Sequence, residues 1–252
     1  MKAEVIDYKK IYKKAALNKW WVFKSSNNTD NECSWWDLYE YVLQNFNLTN
    51  KVVLDIWCAE WLKFMNLSPY FLYWVWIDIE PKMIQLAEEN KNNSKVFNIN
   101  FLSEDFDNLK FPDNFFDLIT CRHSPFNLAK VHKLLKKGGV FITQQVWERD
   151  KQNIKDTFWR WQSYWIPTDT YLNRIIKQWE QIGFNDVKFE KSNLNYYFNW
   201  KDHLIDFLKL TPVIPDFNYS KEKLIVDSFI KNYKDEKWIV SNSDRFMLKL
   251  IK

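Results

Sequence analysis

A chain of 252 residues, 46% hydrophobic and 27% charged, suits one globular domain of the larger α/β kind with appendages. Its net charge of +4 comes from Lys scattered among Glu and Asp, so a nucleic-acid footprint is not supported. Cys33, Cys58 and Cys121 are odd in number and lack a CxxC, against a disulfide framework or a zinc site, and neither a signal-peptide core nor an apolar run near the roughly 18 residues of a membrane helix appears. A reduced cytoplasm is the expected setting.

Residues 1–50 read as a helical cap, with a polar break at KSSNNTDNE and an apolar face at helical spacing in WWDLYEYVLQNFN. From Lys51 short apolar runs alternate with amphipathic stretches. KVVLDI, YWVWIDI and KVFNINF predict three strands, with EWLKFMNLS and EPKMIQLAEENKN as the helices between them. FFDLITC is a fourth strand, NLAKVHKLLKK a helix and GGVFITQQV a fifth strand. After an irregular WERDKQNIKDTFWRWQSYWIP come the helix TDTYLNRIIKQWEQI, its stop at Gly183, and a sixth strand, NDVKFEKS. Residues 193–238 interrupt the alternation with the helical stretches WKDHLIDFLKL and SKEKLIVDSFIKNY, and DRFMLKLIK makes a seventh strand. Alternation of this kind predicts a parallel, doubly wound α/β sheet over residues 51–252, with 193–238 as a helical, lid-like insertion.

Ligands of such sheets bind at the carboxyl ends of the strands. Asp55 ends the first strand, beside the turn Trp57-Cys58-Ala59-Glu60-Trp61. Asp78 ends the second, roughly 20 residues on, where an acid can accept from both ribose hydroxyls. Asp105 follows the third. Singly, Asp55 and Asp78 are the caps that Asp makes in any protein. Jointly, acids after three successive strands on one edge predict a nucleoside-bearing pocket.

The stretches VVLDIWCAEW, VWIDIEPKMIQLA, FLSEDFDNLKFPDNFFDLITCRH and VHKLLKKGGVFITQQV resemble the class I S-adenosylmethionine-dependent methyltransferases (type 11-like). The likeness is good over residues 51–146 and loose over most of the rest. It implies a Rossmann-like seven-stranded sheet with helices on both faces, S-adenosyl-L-methionine as cofactor and no metal. By that resemblance Asp55 and the turn Trp57, Cys58, Ala59 and Trp61 hold the methionine part. Asp78, with Ile79 beside it, takes the ribose, and Asp105 with the Phe106 backbone takes the adenine. Asp117 is structural, and Gly138 and Gly139 form the turn into the fifth strand.

The family reaction is attack by a nucleophile on the sulfonium methyl group. The donor is already activated, so positioning and desolvation supply most of the acceleration, and only some acceptors need a general base. Arg122, His123 and Ser124 follow the fourth strand at the ligand edge. His123 can deprotonate an acceptor hydroxyl or amine, or merely satisfy a loop carbonyl, and Arg122 can bind an acidic substrate group. His132 and His203 are expected at the surface. No Asn-Pro-Pro-Tyr-type motif follows the fourth strand, which turns the expected acceptor from nucleic acid toward a small molecule. Gln144 and Gln145 line the acceptor site or only end the fifth strand. The aromatic segment NYYFNWKDHLIDFLKLTPVIPDF reads as a cover that excludes water, or as ordinary packing.

Glycine is scarce: 3 against 15 tryptophans, where average usage of about 7% predicts roughly 18 glycines. Tryptophan stands at Trp57 and Trp61, where a cofactor turn needs bare backbone, and at Trp76, where the resemblance places glycine before the ribose acid. QQVWERD, FWRWQSYW and DEKWIVS repeat the pattern in other turns, whereas Trp179 and Trp200 fall in helical contexts. Overpacking tight sites costs about 1–3 kcal/mol each, and several such sites exceed the roughly 5–15 kcal/mol of a whole domain. Two expectations follow. The chain is an enzyme whose tryptophans at glycine positions share one cause, a UGA codon read as glycine; or it is a catalytically silent methyltransferase-like binding or structural domain, its cofactor turn blocked by Trp57 and Trp61.

Overall fold

The structure, a computed structural model, describes residues 38–56, 68–94, 96–161, 170–211 and 213–252. The expected cap before Leu38, the turn at 57–61 and most of the helix at 60–68 lie outside the described residues. The described residues form two compact units: those within 34–146, 171–191 and 246–252 make one, and those within 147–170 and 192–245 the other.

A seven-stranded sheet runs β3-β2-β1-β4-β5-β7-β6, where β1 is Val52–Ile56, β2 Tyr73–Asp78, β3 Ile99–Ser103, β4 Phe116–Arg122, β5 Leu135–Val146, β6 Asp186–Phe198 and β7 Ile239–Ile251. Pairs β1–β2, β1–β4, β2–β3 and β4–β5 are parallel. β7 departs from the all-parallel expectation. The amide of Gly138, at the start of β5, and that of Asn185, before β6, both donate to carbonyls at the far end of β7, of Lys252 and Ile251, at 2.7 Å. β7 therefore runs antiparallel to its neighbours, which leaves the sheet mixed.

The near-continuous Val, Leu, Ile and Trp of β1 and β2 are buried, as parallel strands covered on both faces must be. Helix α1 (Leu38–Asn45) buries Leu38, Tyr41 and Val42. Helix α2 (Pro81–Ser94) begins on proline, which lacks only a donor that the first turn leaves unused, and buries Met83 and Ala87 one turn apart. Helix α3 (Leu128–Leu134) is capped by Asn127, whose side chain accepts from the Lys130 amide, and yields to β5 at Leu135, earlier than expected. Between Phe116↔Leu135 and Leu118↔Val140 the register shifts, which loops out KKGG. Gly138 there has φ +74°, and a Cβ on Gly139 would come within 2.8 Å of the Lys136 carbonyl. This turn requires glycine. Asp117 ties β4 across the sheet, accepting from the Val52 amide (2.9 Å) and Lys136 Nζ (2.7 Å), with Lys51 at 3.6 Å. Burial alone would raise its pKa, but these partners outweigh it and hold the carboxyl below its usual value.

β3 starts four residues later than KVFNINF suggested. Phe97 is 88% exposed, and the Asn98 side chain donates to the carbonyls of Ser68 and Phe71 instead of extending the strand.

The second unit holds helices α4 (Gln152–Phe158), α6 (Lys201–Leu210) and α7 (Tyr219–Tyr233); α5 (Thr170–Ile182) belongs, from Tyr171 on, to the first. The apolar core of the second unit joins Ile154 and Phe158 to Phe198, Leu204, Phe207, Val226 and Phe229. The expected surface His203 lies in this unit but is buried. Its Nδ1 accepts the Asn199 amide at 3.2 Å, and burial lowers its pKa. The pull of an apolar helix face outweighed the polar neighbours in sequence. His132 is partly exposed, its Nε2 3.2 Å from the Gly183 carbonyl.

A buried ion network also sits in this unit. Asp150 pairs with Arg245, lies 3.5 Å from Lys151 Nζ and accepts the Asp244 amide at 3.0 Å. Lys151, 1% exposed, donates to the Asn242 carbonyl at 2.8 Å and lies over the Tyr196 ring, 4.2 Å from its centroid. Loss of hydration outweighs the pull of Asp150 and brings Lys151 down to about 8. Unfolded lysine titrates near ~10.4, so the unfolded chain holds this proton over a pH range where the folded protein has released it. On this account stability rises with pH between about 8 and ~10.4, and is flat below that window, where both states are protonated. Lys151→Met should abolish the rise in denaturant titrations across the window; an unchanged slope would refute the assignment.

Candidate active site

The carboxyl ends of β1, β2 and β3 lie side by side in the sheet, and with them the three acids singled out above. Asp55 pairs in register with Trp76 on one side and Thr120 on the other. Its side chain is wholly buried, and the Thr120 hydroxyl donates to Oδ2 at 2.9 Å. Asp78 lies opposite Ser103 at the end of β2. Its Oδ1 accepts the Glu80 amide at 2.8 Å, and its carbonyl accepts the Glu104 amide at 3.1 Å. The turn after β2 is thereby closed around the carboxylate. Ile79 beside it is partly exposed. Asp105 caps the short 3₁₀ turn Phe106–Asn108, Oδ1 taking the Asp107 amide at 3.0 Å, while Phe106 is buried. Trp57, Cys58, Ala59 and Trp61 lie outside the described residues.

The chemistry of this edge fits a nucleoside. Ribose hydroxyls and an adenine amino group are donors, and the edge offers two carboxylates, on Asp78 and Asp105, each already oriented by a backbone amide. Between β2 and α2 a shallow hollow is lined by Trp76, Asp78, Met83, Ala87 and Phe101.

The ends of β4 and β5 form a second cluster. Arg122 Nε donates to Gln144 Oε1 at 3.0 Å, and the His123 amide to the Gln144 carbonyl at 2.9 Å. Gln145 Nε2 donates to the Ser124 carbonyl (3.0 Å) and to Thr143 Oγ1 (2.7 Å). Gln144 and Gln145, both buried, thus hold the Arg122–Ser124 corner rather than merely ending β5. His123 turns that corner in the left-handed region, φ 54°, which costs a non-glycine residue energy and re-aims its side chain relative to a strand continuation. Cys121, buried beneath, donates to the Ser124 carbonyl at 3.3 Å; burial first and the Asp55 charge second raise its thiol pKa, which keeps it protonated and inert. Thr120 and Thr143 escaped the sequence reading. Their signal was polar residues inside otherwise apolar buried strands.

Among the described residues, no group of three or more His, Cys, Asp or Glu is placed to hold a metal ion, and no helix is long and apolar enough to cross a membrane.

A methyltransferase-domain family model matches residues 49–199, more than half of the chain, and the protein belongs to that family. The uncharacterized methyltransferase YcgJ of Bacillus subtilis is 30% identical over 97 residues, which span 36% of this chain and 38% of YcgJ. The crystal structure of YcgJ superposes with a TM-score of 0.61 at 18% identity, covering 85% of this chain and 97% of that one. A phosphoethanolamine N-methyltransferase of Haemonchus contortus, solved with phosphomonomethylethanolamine and S-adenosylhomocysteine, superposes at 0.54 with 16% identity over 94% of this chain and 57% of its own. The [4+2]-cyclase SpnF shares the fold at 0.54 and 14% identity over 88% of this chain and 84% of its own. The Rossmann-like α/β fold thus carries more than one chemistry.

Proposed function

We propose that the protein transfers a methyl group from S-adenosyl-L-methionine to a small-molecule acceptor in the cytoplasm. The observation that carries this reading is the row of acids at the ends of β1 and β2 and just past β3, two of them fixed by backbone amides. When bound, the cofactor supplies a methyl group made electrophilic by its cationic sulfur. Asp78 accepts from the ribose, with Ile79 against it. Asp105 and the Phe106 backbone hold the adenine. Asp55 and the turn 57–61 hold the methionine part, with Thr120 orienting Asp55. His123 takes the proton from an acceptor hydroxyl or amine, and Arg122, positioned by Gln144, binds an acidic group on the acceptor.

Calorimetric titration with S-adenosylmethionine and S-adenosylhomocysteine tests the reading; binding of neither overturns it. Asp78→Ala removes a charged acceptor and should weaken S-adenosylhomocysteine binding by about 1.5–3 kcal/mol. An unchanged dissociation constant would withdraw Asp78 from the ribose. Screening acceptors with labelled cofactor then identifies the substrate.

A further inference from the structure

We infer that the native protein carries glycine, encoded by UGA, at Trp57, Trp61, Trp76 and Trp159, so that its cofactor turn reads Gly-Cys-Ala-Glu-Gly. The assignment at 57, 61 and 76 rests on the methyltransferase reading, which places glycine there; the assignment at 159 does not.

Trp159 supplies an observation independent of any family pattern. It closes helix α4 at φ 51° and ψ 23°, in the left-handed region, with 77% of its surface exposed. A residue in that conformation just past a helix is most often glycine, because a Cβ there meets the backbone. Six described non-glycine residues have positive φ: Asn50, Asn114, His123, Lys151, Trp159 and Asp216. Asn, Asp and His are the types that visit this region. Of the remaining two, Lys151 is buried in the ion network above. Trp159 has an exposed indole at a position that penalises any side chain.

Trp76 bears directly on the ligand edge. It stands in register with Asp55 and Phe101, two residues before Asp78, so strand alternation puts its side chain on the same face as the Asp78 carboxylate. Its ring is buried against Trp74 and Phe101, with centroids at 5.9 and 5.2 Å, and lines the hollow beside Asp78. Glycine at this position opens the hollow next to the acid that takes the ribose. Trp74 differs: it packs edge-on against Phe71 at 4.5 Å in the core of β2, is not among the residues that line the hollow, and stays tryptophan here.

A single change of code accounts for all four sites. GGA, a glycine codon, becomes UGA by one base change. Where a cell reads UGA as glycine, such changes are silent and accumulate at any glycine position, in turns and ligand sites alike. Reading the same gene with UGA as tryptophan then writes an indole at each. The pairing of 3 glycines with 15 tryptophans is the compositional trace of this exchange.

The gene decides the identity of the residues. UGA codons at 57, 61, 76 and 159, with glycine in peptides of the protein isolated from its own host, establish the inference; UGG codons, or tryptophan in those peptides, overturn it whatever the protein binds. Calorimetry then compares the chain as written with a form carrying Trp57→Gly, Trp61→Gly, Trp76→Gly and Trp159→Gly, with S-adenosylhomocysteine as probe. Binding at least tenfold tighter in the glycine form supports the inference. UGA codons together with a well-folded glycine form that fails to bind keep the recoding and overturn the cofactor reading instead. Trp159→Gly alone should raise the thermal midpoint; a fall overturns the assignment at that position.

Discussion

Asp150→Asn should cost roughly 3–5 kcal/mol of stability, because the variant leaves buried cations facing a neutral amide. Arg245 and Lys151 both pair with this carboxylate, and the Lys155 ammonium, which donates to the Glu148 carbonyl at 2.7 Å, adds to the positive field. Burial by itself would raise the Asp150 pKa, but Arg245, the two lysines and the Asp244 amide reverse the sign and keep it below the ordinary carboxylate value. Its contribution is therefore complete above pH ~4 and is lost as acid protonates the folded state. Thermal melts at pH 7 should show a midpoint lower by roughly 10 °C. Equal midpoints for the two proteins would mean that Arg245 and Lys151 find other partners at no cost.

The second large effect falls on turnover. His123→Ala should lower methyl transfer to an acceptor that must lose a proton by a factor of about 10²–10⁴, with S-adenosylhomocysteine affinity retained. The corner's φ of 54° complicates alanine, which resists that region, so His123→Asn is the paired control: asparagine tolerates the backbone but carries no base. Both variants losing turnover while the asparagine variant keeps its melting point identifies a proton acceptor. Native turnover in the asparagine variant would assign His123 to the loop alone.

Alternating apolar and amphipathic runs made β1 through β5 legible, because buried parallel strands are written as unbroken Val, Leu and Ile and the helices between them as one-sided faces. What stayed hidden has local physical causes. Helix α4 lacks a side-chain cap; Lys151 precedes it and Trp159 follows it, both left-handed, so neither end carries the residue type that marks a helix boundary. The start of β3 depended on Asn98 reaching back across 27 and 30 residues, which no window of sequence contains. The acids were readable from their places at strand ends. The grip of Gln144 and Gln145 on the β4 corner was not, because it depends on the register between β4 and β5. The Asp150–Arg245 pair joins groups far apart in the chain.

The position of β7 between β5 and β6 also sets the order in which this sheet can assemble. β6 is made before β7, yet among the described strands β7 is its sole neighbour in the sheet. As the chain emerges, β6 can only wait, while β1 to β5 already have partners. With two helices between β6 and β7, closing that pair carries the entropic cost of a long loop. Until it closes, both β6 and the outer edge of β5 present unpaired amides and carbonyls, and that interval is when this protein is most exposed to edge-to-edge aggregation.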